Sequence, residues 1–188
     1  MTKMTKKICF SILLFSFLFT SCKNEGDANT NQKVKEDNVE VFQFVVDIKT
    51  KDSTDLILYY KDGTNEWIVE DKAIWNTVPG ESGFQKVVFN FDEGVIPNDF
   101  RFDIGRNEFK NNQPIEIKKI ILNYQGRSFE IEQDKINYFF KPNQCMVYDA
   151  ETKQYALKKD DNGNYDPYLE TAAPIYPQIA NLVLNKTE

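Results

Sequence analysis

The chain contains no histidine. That removes the commonest general base and the commonest metal ligand, and it excludes any Ser-His or Cys-His mechanism. Positive charge is also short: 23 Lys and Arg face 29 Asp and Glu, a net charge of −6. Such a balance argues against nucleic acid and against adsorption to anionic lipid, and says little about a neutral partner such as a glycan. There is no internal repeat of fixed period. The one long apolar run, Ile8 to Phe19, is broken by Cys9, Ser11 and Ser16. It is shorter than the roughly 20 residues a helix needs to cross a bilayer. Cysteine is scarce as well, with only Cys9, Cys22 and Cys145.

What is present begins with that run. Lys6 and Lys7 precede it, and Thr20, Ser21 and Cys22 follow it. A basic start, a short apolar stretch and small residues read as a secretory signal over residues 1–21. Thr20-Ser21-Cys22 resembles the lipobox of bacterial lipoproteins, with Phe19 where that family usually carries Leu. The resemblance implies cleavage before Cys22 and acylation of its sulfur and new amine, hence a lipid anchor (palmitate among its chains). Two or more acyl chains hold a protein stably to a membrane, at about 0.8 kcal/mol per buried CH2. Lys23 stands where many inner-membrane lipoproteins have Asp, so the resemblance also implies the outer membrane. Residues 22–39 form a polar stretch that cannot bury enough to order itself and reads as a flexible linker. Without the three leader lysines, 20 basic residues face 29 acidic ones, a net −9. With Cys9 removed and Cys22 acylated, Cys145 is alone. No intramolecular disulfide is then possible, and Cys145 is expected as a small buried hydrophobe.

Residues 40–188 are expected to form one domain. Period-two alternation marks strands: Phe42, Phe44, Val46 and Ile48 share one face, and Asp55–Lys61 follows. Asp62-Gly63 predicts a tight hairpin, returning along Asn65–Glu70. Residues 71–83 read as a loop. Phe84–Phe91 and Asp99–Ile104 are further strands. In the strand after Pro114, Ile115 and Ile117 share a phase that Ile120, Leu122 and Tyr124 do not, so a β-bulge is expected at Lys118-Lys119. Gln125-Gly126 predicts a turn, followed by strands over Arg127–Glu132 and Lys135–Lys141, the latter with Ile136, Tyr138 and Phe140 inside. Weaker strand patterns cover Gln144–Ala150 and Gln154–Lys159. Asn162-Gly163 predicts another hairpin. Pro167, Pro174 and Pro177 oppose a ladder in the tail, where Ile175, Ile179, Leu182 and Val183 recur at helical spacing.

The expected class is all-β: a single antiparallel β-sandwich with a short C-terminal helix. Arg101-x-Asp103-x-Gly105, followed by Ile115-x-Ile117-x-x-Ile120-x-Leu122, resembles a unit of jelly-roll, carbohydrate-binding-like domains. The resemblance implies a jelly-roll sandwich that binds glycan.

Sugar rings stack their C–H faces on Trp and Tyr, so candidate ligand contacts are Trp67, Trp75, Tyr59 and Tyr60, with Tyr165 and Tyr168 beside the Asn162-Gly163 turn. The alternative places Trp67 and one of the adjacent tyrosines in the core. Asp160, Asn162, Asn164 and Asp166 have the alternate spacing of calcium ligands. They lack the Gly and Glu that complete such a loop, and a solvated turn explains the same residues. No cofactor is expected, with a structural calcium left open. Asp92, Glu93, Asp99, Asp103 and Glu116 could supply paired carboxylates for a glycosidase, but no nucleophile or metal motif accompanies them, and Arg101 with Asp103 reads as a surface ion pair. The expected function is a membrane-anchored binding module for a carbohydrate, not an enzyme. The alternative is an assembly subunit holding another envelope protein.

Overall fold

The computed structural model describes residues 41–105 and 113–184. Strand β1 (Gln43–Lys49) turns Phe44, Val46 and Ile48 into the core, fully buried, because successive side chains leave a strand on opposite sides. β2 (Thr54–Lys61) does the same with Leu56, Leu58 and Tyr60. β3 (Ala73–Val78), β4 (Gln85–Asn90) and β5 (Asp99–Ile104) follow. β6 (Glu116–Tyr124) and β7 (Arg127–Glu132) are joined by Gln125 and Gly126, at φ 48° and 73°. Two successive positive φ angles give the turn whose twist matches that of paired strands. A 3-10 turn (Gln133–Lys135) runs into one helical turn, α1 (Ile136–Phe139). Then come β8 (Phe140–Pro142), β9 (Met146–Asp149), β10 (Gln154–Leu157), β11 (Tyr168–Thr171) and helix α2 (Ile175–Leu184).

These strands form an all-β sandwich of antiparallel sheets. One sheet has the order β4-β1-β6-β7 and the other β3-β2-β5-β11-β8, with β9 and β10 as a separate pair. The core between the sheets is aliphatic around a cluster of phenylalanines. Phe44 lies 5.4 to 6.0 Å from the rings of Phe89, Phe100, Phe102 and Phe140, mostly edge-on or tilted. Each such buried side chain contributes about 1.5–3 kcal/mol. Cys145 is buried and unbridged, so the described domain rests on this core. On the outer side of the four-stranded sheet, Ser128 donates to Asn123, Asn123 to Gln43 and Gln43 to Asn90, one bond per strand crossing. Among the described residues, no helix is long and apolar enough to cross a membrane.

The bulge falls where the phase slip places it. Asp47 pairs with Lys119 and Ile48 with Ile117, leaving Lys118 over. Several other expectations are corrected. The strand opposite β2 is Ala73–Val78, not Asn65–Glu70, and residues 62–72 form a long connection rather than a two-residue hairpin. Residues 71–83 therefore hold a strand. Lys135–Lys141 is mostly a helical turn that leaves Tyr138 exposed; only its end enters a strand. Asn162-Gly163 makes a tight turn closed by Asp160 N–H to the Asn164 carbonyl, but no strands pair across it. β10 pairs with β9, and β11 with β5 and β8. β11 sits inside a sheet between Pro167 and Pro174, because neither proline lies within its four residues.

Candidate functional site

The outer face of the five-stranded sheet brings together three of the six aromatic candidates, Tyr59, Trp75 and Tyr168, with Arg101 and Asp103. Strand alternation puts Asp55, Ile57, Tyr59 and Lys61 of β2 on the side away from the core. Register then builds rows across the strands. Trp75, Ile57, Asp103 and Tyr168 lie in one row, and Ala73, Tyr59, Arg101, Glu170 and Lys141 in the next. Four neighbouring strands place Trp75 and Tyr168 about 14 Å apart along the first row. Ile57, Tyr59 and Asp103 are buried although they alternate with core residues, so this face carries a packed layer of its own.

Arg101 is the centre of that layer. Its Nε and Nη2 donate to the two carboxylate oxygens of Asp103, each at 2.8 Å. Nη2 also donates to Asp166 at 2.7 and 2.9 Å. The guanidinium carbon lies 3.9 Å from the Tyr168 ring centroid and 5.8 Å from that of Tyr59, within the range of attraction between a cation and an aromatic face. Asp103 is only 2% exposed. The pair is thus partly buried and forked, not the weak surface pair that spacing alone suggests. The Tyr59 hydroxyl donates toward Glu70 at 3.3 Å.

Trp75 stands at the β3 end of the row and is 50% exposed. Trp67 is 75% exposed in the 62–72 connection, which corrects the reading of Trp67 as core. That connection is clamped at its base. Lys72 Nζ and the Thr64 hydroxyl and backbone N–H all donate to Asp62. Asn65 donates to the Trp67 carbonyl at 2.8 Å. The Lys72 bond first, then those from Thr64, hold the Asp62 carboxyl well below the usual range, at about 2. A depressed carboxylate stabilises the fold above the unfolded value of about 3.9, and that contribution fades as pH falls through about 2. Wild type is therefore expected to be more stable than Asp62→Asn at neutral pH. The difference should close in acid, as measured by urea denaturation across that window.

Other candidates fall elsewhere. Tyr60 points inward and packs on Phe91, with ring centroids 4.9 Å apart. Tyr165 packs against the core, and burial raises its pKa. The four spaced oxygen residues do not converge on a cation. Asp160 accepts from the backbone N–H of Asn162 and Asn164 and from the Asn164 side chain, while Asp166 faces Arg101. Among the described residues, no cluster of acidic or cysteine groups could hold a metal. Of the five carboxylates considered for catalysis, Asp99 pairs with Lys61, Glu116 with Lys49 and Asp103 with Arg101. Cys22 lies outside the described residues.

No family model, curated protein or solved structure matches this chain. The site therefore stands on its own geometry. Arg101 as its hub, Asp166 as a second carboxylate and Glu70 on Tyr59 are not apparent from the sequence. Asp166 is 65 residues from Arg101, and only strand pairing brings them together.

Proposed function

We propose that this protein is a lipid-anchored lipoprotein of the outer membrane whose β-sandwich binds carbohydrate on the outer face of its five-stranded sheet. The anchor would be acylated Cys22, with residues 22–39 as tether. The observation that carries the binding reading is the row ending in half-exposed Trp75 and in Tyr168, with the stacked Arg101 guanidinium beside it. Aromatic faces offer a surface for sugar C–H groups, and fixed polar groups between them supply directional hydrogen bonds.

The test is retention of the purified protein on immobilised polysaccharides. Trp75→Ala is expected to weaken retention by about tenfold or more, while the urea midpoint moves little because the indole is half in solvent. A mutant that unfolds, or one that binds as the wild type does, sinks the assignment of Trp75.

One observation favours a second reading, an assembly subunit of an envelope complex. Helix α2 carries no charged residue. Beside it lies an apolar groove of about 580 Å³, lined by Ile96, Pro97, Tyr176, Ile179, Ala180 and Val183 among others. Ala180→Glu should abolish a partner contact there without touching glycan retention, read by crosslinking in solubilised membranes.

A further inference from the structure

Resting on the carbohydrate reading above, we propose that this face selects uncharged, hydroxyl-rich glycans, and that Arg101 and Asp166 together read two neighbouring hydroxyls.

Arg101 spends Nε and Nη2 on Asp103 and Asp166, and Nη1 on neither. Its plane is fixed by the Tyr168 ring on one side and by the bidentate bond to buried Asp103. Asp166 differs from Asp103: its side chain is 47% exposed, so its oxygens remain reachable from solvent. The rim of the stacked pair therefore presents a donor beside an acceptor. A hydroxyl both donates and accepts, so two adjacent hydroxyls of one sugar ring match that arrangement. One accepts from Nη1 and the other donates to Asp166. The apolar face of that ring then has Tyr168 for contact, and another ring of the same glycan, further along the row, has Trp75.

Charge sets the selectivity. Arg101 is already paired with two carboxylates, so it offers little net positive charge to an acidic ligand. Glu170 is the cross-strand neighbour of Arg101, Glu70 bonds the Tyr59 hydroxyl, and Asp55 bonds Thr77 at the edge of the same face. Among the described residues of these rows, Lys141 lies across from Glu170 and is set against them, while Lys61 is paired with Asp99 and Lys72 with Asp62. A uronate or sulfate placed here meets like charge at close range, which acts mainly against wrong partners.

The experiment measures retention of the purified full chain on a neutral glucan, a uronate polymer and a sulfated polymer, at low and high salt. The neutral polymer is expected to bind at least about tenfold more tightly than either acidic one, with little salt dependence. Arg101→Lys keeps the charge but loses the planar fork, and should weaken neutral binding about ten- to a hundredfold. Glu170→Gln, an exposed position, should raise retention of the uronate polymer at low salt by more than it changes retention of the neutral one. Acidic polymers binding as tightly as neutral ones would overturn the selectivity while leaving the carbohydrate reading intact. Loss of neutral binding in Trp75→Ala but not in Arg101→Lys would overturn the role of Arg101. No retention of any polymer would remove both readings together.

Discussion

Truncating Phe44 to alanine is expected to destabilise the domain by about 3–5 kcal/mol. Phe44 is fully buried at the centre of β1 and touches aromatic rings from both sheets: Phe89 on one side of the sandwich, and Phe100, Phe102 and Phe140 on the other. Removing the ring deletes apolar burial and leaves a cavity that four stiff neighbours cannot collapse into. Each lost edge-on contact adds about 0.5–1.5 kcal/mol beyond area. No disulfide within the described domain offsets the loss. Small domains have only about 5–15 kcal/mol in total, so the variant should sit close to unfolding at body temperature. Urea denaturation reads the effect as a lowered midpoint with an unchanged slope. A loss under about 1 kcal/mol would mean that the two sheets do not depend on this ring for their contact.

The second large effect is expected at Asp103. Asp103→Ala leaves the Arg101 guanidinium over Tyr168 without its bidentate partner. Breaking one side of a buried pair costs about 3–5 kcal/mol. The lower end applies, because Arg101 keeps Asp166 and its side chain is 27% exposed. Asp166→Asn should cost under about 1 kcal/mol, since that carboxylate is half in water and behaves as a surface partner. The contrast between the two variants is the measurement. Equal effects would show that solvent reaches both carboxylates alike and that the layer over Ile57 and Tyr59 is not closed.

Much of the sandwich was legible because most of its strands carry a clear period-two face. β1, β5 and β7 carry Phe, Val and Ile at every second position, β2 reads as a short apolar run, and even the bulge at Lys118 shows as a slip in phase. The errors have physical causes. Asp62-Gly63 carries the local chemistry of a tight hairpin, and Gly63 does take positive φ. The hydrogen bonds of Asp62 and Asn65 nevertheless extend the connection, so the returning strand begins only at Ala73. β11 is hidden in the sequence because its four residues lie between Pro167 and Pro174, whose presence argues against a strand. Ile136 and Phe140 are four apart, a spacing that suits one turn of helix as well as a strand, and packing chose the helix.

The site was legible only in part. Aromatic residues announced Trp75 and Tyr168. Which neighbours surround them depends on pairings between distant segments, such as Tyr168 with Asp103 and Ile57 with Trp75. The paired prediction for Arg101 and Asp103 rested on their i, i+2 spacing on one strand. Spacing cannot tell an open sheet face from a covered one.

The position of β1 has a consequence for how the molecule forms. It is the first described strand in the chain, yet it is an interior strand of its sheet, hydrogen-bonded to β4 on one side and to β6 on the other. Neither neighbour is a near one in sequence. At about 5–20 residues per second of synthesis, the stretch from the end of β1 to Tyr124 takes roughly 4–15 s to appear. For that interval the apolar Phe44-Val45-Val46 segment has no native partner on the β6 side. Pairings of such long span are slow to form. The sheet around β1 can close only once β6 is available, and until then Phe44-Val45-Val46 is a segment prone to stick to other copies.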